Sequence, residues 1–190
     1  HAGLGIADRN TRAGVVRAHA ALRELREAED PLVAQAARDF RLVTGARLAF
    51  ADGTPDIVVH PETRAGWARL CRLLTLGKRR AKKGDCHIGF DDLLADAGDL
   101  LMIVVPGRDL SGLPRLLPRL AAAAPRAVWL AATMPRRGDD RRRLARLRDI
   151  VRAVRGVPLL ATNDVLHADA ADRDLQDVLT CIREGVTLAT

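Results

Sequence analysis

Two aspartates stand where α/β proteins place their chemistry. Asp164 follows Leu159-Leu160-Ala161, a short apolar run of the kind a buried parallel strand uses, and Asp8 follows Leu4-Gly5-Ile6-Ala7 in the same way. Polar residues past the C-terminal ends of such strands form the sites of open sheets and barrels. A carboxylate there can ligate a divalent cation. It can equally cap a helix, hold a turn or join an ion pair, so both aspartates carry a structural reading beside the metal one. These strand ends, far apart in sequence, are the candidate walls of one site.

Other residues offer less. Asp85-Cys86-His87 contains a possible metal pair, but Cys71 is too far upstream for a finger and no second close pair exists. Gly3-x-Gly5 lacks the third glycine of a dinucleotide motif, because Asp8 stands there. His19 reads as a packed or surface histidine. Lys78, Arg79, Arg80, Lys82 and Lys83 close a helical stretch. They read either as solvated cations that answer the helix dipole or as contacts to nucleic-acid phosphates.

The elements that must position these residues follow from periodicity and punctuation. Thr11 is placed to cap a helix over Arg12 to Glu27, with Val15, Val16, His19 and Leu22 inward. Asp30 and Pro31 start a second helix that runs to Phe40. Arg41 to Phe50 and Pro55 to His60 read as strands joined through Asp52-Gly53. Pro61 marks the start of a helix that buries Trp67, Leu70, Cys71 and Leu74. Leu100 to Val105 and Ala127 to Ala131 are strands, with a helix lined by Leu113, Leu116, Leu117 and Leu120 between them. Arg136 to Arg155 is a helix with Leu144, Leu147, Ile150, Val151 and Val154 inside and most of its arginines in solvent. Thr162-Asn163-Asp164 turns the chain after the last strand. Leu175, Val178, Leu179 and Ile182 then form one apolar helical face. The alternation from Leu100 onward implies a parallel sheet or barrel with right-handed crossovers.

Composition bounds the function classes. At 190 residues and 48% hydrophobic content the chain fits one domain. It begins with His1, close to the first strand, which leads us to expect an N-terminal truncation. A net charge of +7 permits nucleic-acid binding without showing it. Of 31 basic residues, all but Lys78, Lys82 and Lys83 are arginine, a bias that G+C-rich coding also produces. Aromatics make up 3% and tyrosine is absent, so no platform for stacking bases is expected. Cys71, Cys86 and Cys181 have no CxxC spacing, and neither a secretory leader nor a membrane span is read, so reduced thiols in the cytoplasm are expected.

Several longer runs carry a resemblance. Leu160-Ala-Thr-Asn-Asp-Val-Leu-His167 and Leu175-Gln-Asp-Val-Leu-Thr-Cys-Ile-Arg183 resemble the end of the PHP (polymerase and histidinol phosphatase) domain at the N-terminus of bacterial C-family DNA polymerases. Three more runs resemble the error-prone branch of that family. They are Gly5-Ile-Ala-Asp-Arg-Asn10 with Ala13-Gly-Val-Val-Arg-Ala-His19, Gly66-Trp-Ala-Arg-Leu-Cys-Arg-Leu-Leu-Thr75, and Gly77-Lys-Arg-Arg-Ala-Lys-Lys-Gly84. Together they cover nearly the whole chain.

The resemblance implies an α/β fold, a distorted (β/α)7 barrel that lacks its first strand here. Active members of the family hold a cluster of divalent metals at the C-terminal ends of the strands. Where they carry Asp-His this chain has Asp8-Arg9. Where they carry Gly-x-Glu it has Gly45-Ala46-Arg47, and where they carry Asp-x-His it has Asp164-Val165-Leu166. A guanidinium cannot coordinate a cation. Asp8, Arg9, Arg47, Asp164 and Leu166 are therefore expected to be vestigial metal positions, with Asp8–Arg9 or Asp164–Arg47 ion pairs in place of metal. No catalytic residue and no cofactor are expected in the segment itself. The implied parent is an error-prone polymerase that uses Mg²⁺ and deoxynucleoside triphosphates in damage tolerance. Its polymerase core lies on the same chain, DNA is its partner, and this segment is a scaffold. The alternatives are a free-standing metal-dependent phosphoesterase and a small basic nucleic-acid-binding module.

Overall fold

Five of the six strands point one way and the third points back. The computed structural model describes residues 2–134 and 138–188. Its strands are β1 (Gly3–Arg9), β2 (Arg41–Leu48), β3 (Ile57–Pro61), β4 (Leu100–Val104), β5 (Val128–Ala132) and β6 (Leu159–Ala161), in one sheet of that order. β1 and β2 are parallel, β3 is antiparallel to both β2 and β4, and β4, β5 and β6 are parallel. The C-terminal ends of five strands therefore share one rim with the N-terminal end of β3. The helices among the described residues are α1 (Ala13–Arg26), α2 (Pro31–Asp39), α3 (Arg64–Arg79), α4 (Phe90–Leu94), α5 (Leu113–Ala123), α6 (Asp140–Ala153) and α7 (Arg173–Glu184). A short 3-10 turn, Ala170–Asp172, precedes α7.

The sheet is curled. Arg47 on β2 hydrogen-bonds Asp164 beyond β6, although three strands lie between them. In a flat sheet β2 and β6 would be about 19 Å apart, at about 4.8 Å per strand. Only a half-barrel brings these two ends within reach of one side chain.

Period-two alternation decides which face of the sheet is packed. Leu100, Met102 and Val104 of β4 are buried, as are their partners Ile57 and Val59 on β3 and Val128 and Leu130 on β5. Leu70 and Leu74 of α3, Leu93 of α4, Leu117 and Leu120 of α5 and Leu147 of α6 close over this face. Each such side chain stabilises the fold by about 1.5–3 kcal/mol of transfer free energy. The opposite residues Val58, His60, Leu101, Ile103 and Trp129 are only half-buried, along the inside of the trough.

Several sequence expectations change. Thr11 does not cap α1. The residue at the N-cap is Arg12, and the carboxylate of Asp8 accepts from the Gly14 N–H at 2.6 Å instead. Asp8 and Arg9 lie within β1 rather than in a turn after it. Val16 and His19 face solvent, because Val15 and Leu22 supply the inward stripe of α1. Pro61 ends β3, and Thr63 caps α3 by accepting from Gly66 N at 3.1 Å. Trp67 and Cys71 are half-buried, with the guanidinium of Arg12 4.1 Å over the Trp67 ring. The start expected for α6 at Arg136 lies outside the described residues, and the helix is described from Asp140.

The last strand and helix differ most. β6 is an edge strand whose Leu159 and Leu160 are half-buried, not covered on both faces. α7 has the expected stripe, but Leu175, Val178, Leu179 and Ile182 are exposed, because no described element packs on it.

Candidate functional site

Arg47 sits between two carboxylates at the common rim. Its Nε donates to Asp56 Oδ2 at 2.7 Å and its Nη1 to Asp164 Oδ1 at 2.9 Å. Arg9 Nη1 donates to the same Asp56 oxygen at 3.4 Å. The topology explains the grouping. β1 and β2 are in register with Arg9 opposite Arg47, so both side chains leave the sheet on one face. β3 runs backward, which puts Asp56, just before its first residue, at the rim where β2 ends.

Two loops are held in the left-handed backbone region at this rim. Asn10, with φ 50°, follows β1, and Asp164, with φ 48°, follows β6. Asn and Asp tolerate that region better than other side chains. Asn10 is fixed by a reciprocal pair with Ala49, donating to its carbonyl at 3.0 Å and accepting from its N–H at 2.9 Å. Below the rim opens a cleft of about 1270 Å³ whose walls include Arg47, Asp56, Arg143, Thr162, Asp164 and Leu166. Arg143 reaches across from α6 and donates to the carbonyls of Gly107 at 2.6 Å and Pro106 at 2.9 Å. It thereby pins the loop after β4.

The rim does not suit a divalent cation while Arg47 stands in it. A dication about 4 Å from the guanidinium would be repelled by about 8 kcal/mol at an effective dielectric near 20. Among the described residues no three His, Cys, Asp or Glu side chains are gathered as a metal site would require. Asp56 and Asp164 instead have their charge answered by Arg47, which ties the rim ends of β2, β3 and β6 together.

The expected site residues divide. Arg9, Arg47 and Asp164 meet, and Leu166 lines the same cleft while 64% exposed. The Asp164–Arg47 pair forms, but Asp8 pairs with no arginine among the described residues. Its carboxylate turns to the other face of β1 and serves the first turn of α1. The sequence reading missed Asp56, the residue shared by both arginines. The signal was present in Pro55-Asp56, a carboxylate at the start of a hairpin's return strand.

Of the five candidate nucleic-acid contacts, Lys78 and Arg79 end α3 while Arg80, Lys82 and Lys83 follow it, and none lines the rim cleft. Arg80 pairs with Asp92 at 2.6 Å, and the other four are exposed. Among the described residues Cys86 and His87 join no metal cluster. Burial pushes the Cys86 thiol up from its ordinary value, an effect that Lys78 partly opposes.

No family model matches the chain. Curated relatives do. The chain is 49% identical over 192 residues to an error-prone DNA polymerase from Bradyrhizobium diazoefficiens, covering 97% of the chain and 16% of the relative. This chain is homologous to a segment of error-prone DNA polymerases. A protein of the same name from Brucella abortus is 49% identical over 188 residues, and one from Rhodopseudomonas palustris BisB5 is 47% identical over 187. The chain spans 16% of the length of each of these. The homology to error-prone polymerases agrees with the runs from Gly5, Gly66 and Gly77 that suggested this branch. No described helix is long and apolar enough to cross a membrane.

Proposed function

We propose that the chain is the PHP-type segment of an error-prone DNA polymerase and works there as a non-catalytic scaffold. The observation that carries the polymerase reading is a match at 49% identity over 97% of the chain, with no large region left over. The curled sheet with five co-directional strands is what part of a (β/α)7 barrel would present. Polymerase chemistry, with Mg²⁺ and deoxynucleoside triphosphates in damage tolerance, then belongs to a core on the same polypeptide beyond these residues, in the cytoplasm.

The scaffold role rests on Arg47. Its pairs with Asp56 and Asp164 occupy the rim where the family resemblance would place metal ligands. We read this as a metal site converted into a cross-rim tie.

Two assays on the full-length protein test the proposal. Primer extension on intact and lesion-containing templates supports the polymerase reading. Failure to extend, together with Mn²⁺-dependent hydrolysis of a phosphate ester, transfers the assignment to a phosphoesterase. The converted-site reading is tested by Arg9→His with Arg47→Glu and Leu166→His. The triple variant should gain affinity for a divalent cation by calorimetry, and a variant with no gain removes the support for a former metal site.

A further inference from the structure

We infer that the outward face of α6, with the pocket at its C-terminal end, is a contact for the phosphate backbone of duplex DNA. Between residues 141 and 155 the chain carries seven arginines and a single acid, Asp149. Arg143 turns inward to the loop carbonyls. The other six are exposed. Arg141, Arg148 and Arg152 fall within about 40° of one another on α6, because seven and eleven residues are close to whole numbers of 3.6-residue turns, and Arg155 follows two residues past the helix end. The three form a stripe about 17 Å long at 1.5 Å per residue, with Arg155 just beyond it.

The stripe ends in a pocket of about 480 Å³ walled by Arg126, Arg152 and Arg155 together with Val151, Val154, Val157 and Pro158. Arg126 precedes β5 and Pro158 precedes β6, so this pocket lies at the end of the sheet opposite the Arg47 rim. It is a separate site.

Density of charge separates this face from the rest of the surface: seven of the fifteen residues from 141 to 155 are arginine. Arg9, Arg47, Arg69, Arg72, Arg80 and Arg119 each have an aspartate at 3.4 Å or less. Among the described residues of the α6 face only Arg152 has an aspartate near it. Asp149 stands 3.7 Å away with both side chains more than 65% exposed, a pair worth about 0–1 kcal/mol. Arginine-rich coding sets how many arginines there are, but not where they cluster. A partner protein would also need an apolar centre to its footprint, and the outward residues between these arginines include only Ala145 and Ala153. No large hydrophobic residue from 141 to 158 is exposed, and a row of guanidiniums on such a face suits a regular polyanion read through its phosphates, without base stacking.

The choice of DNA rests on the polymerase reading above, and the test keeps the two apart. The full-length protein is titrated into fluorescent primed duplex between 50 and 200 mM salt. The stripe variant is Arg126→Gln with Arg148→Gln, Arg152→Gln and Arg155→Gln. The control removes the same charge elsewhere, at exposed Arg17, Arg23, Arg38 and Arg64. The stripe variant should show a slope of log K against log salt shallower by about 3.6. The control should keep the wild-type slope. Equal slopes in wild type and stripe variant, or equal change in stripe variant and control, overturn the inference. Should the fourfold variant not fold, Arg148→Gln and Arg155→Gln alone should each lower the slope by about 0.9, and no change in either overturns it. A protein that extends no primer but shows the slope change loses the polymerase reading and keeps the phosphate contact. One that extends primers without the slope change does the reverse.

Discussion

Arg47 and Asp164, 117 residues apart in sequence, are joined at 2.9 Å across the mouth of the half-barrel. Arg47 is 24% exposed, Asp56 21% and Asp164 36%, which places the network between a surface pair and a buried one. Replacing Arg47 by Met leaves two carboxylates facing each other without their shared donor. We expect a loss of about 1–2 kcal/mol in urea unfolding, diminished by salt. The Arg47→Met and Asp164→Asn changes should couple by about 1 kcal/mol in a double-mutant cycle. Strict additivity would mean that the contact ties nothing.

Asp8 makes a different kind of bond from the one its position suggested. It answers the Gly14 N–H at the start of α1, where neither Thr11 nor Arg12 supplies a side-chain cap. Asp8→Ala should cost about 1 kcal/mol, whereas Asp8→Asn should keep most of that stability, because the amide oxygen still accepts. A metal ligand behaves otherwise. Were Asp8 a ligand, added Mn²⁺ would raise the wild-type unfolding midpoint but not that of Asp8→Asn. The same small response in both proteins fits a cap.

What was legible in the sequence depended on how local the cause was. The α2 start at Asp30-Pro31, the β2–β3 reversal and the leucine stripe of α5 follow from neighbours in sequence, and each stands as read. α4 was not foreseen, since five residues are too few to show a helical period, and its start is set by a distant side chain, Asp52, accepting from Phe90 N at 2.7 Å. The stripe of α7 was legible as a pattern, but periodicity does not say what will cover it. At the rim, a position past a strand end flagged Asp164, and the family resemblance flagged Arg47. Asp56 escaped because only the reversed direction of β3 brings it there.

Asp92 links the basic end of α3 to α4. It accepts from Arg80 at 2.6 Å and from the Gly89 N–H at 2.8 Å, and these donors, Arg80 first, hold its carboxyl below the usual value of 3.8. A depressed folded value means that the unfolded state binds the proton more tightly. The stabilisation is complete above about pH 4 and is lost as pH falls through the folded value below 3.8. Asp92→Asn should therefore lower stability at neutral pH and flatten the acid limb of the stability curve. A curve that keeps its slope between pH 4 and pH 2 in Asp92→Asn would assign that limb to other carboxylates. Asp96, lowered chiefly by Arg72, is the next to test.

Gly66 sets two physical effects against each other. It lies in the first turn of α3, where Ala would normally favour the helix by about 1 kcal/mol. However, a Cβ there would meet the backbone carbonyl of Asp99 inside contact distance, with the Asp99 side chain at 3.0 Å. Asp99 also accepts from the Glu62 N–H at 2.9 Å, so its backbone is held and cannot withdraw cheaply. Overpacking of this kind costs about 1–3 kcal/mol. We therefore expect Gly66→Ala to destabilise the fold by about 1 kcal/mol net, and Gly112→Ala, which would meet nothing within 4 Å, to be close to neutral. A stabilised Gly66→Ala would show that the Asp99 loop yields, and that the packing of α3 against the start of β4 is looser than these contacts require.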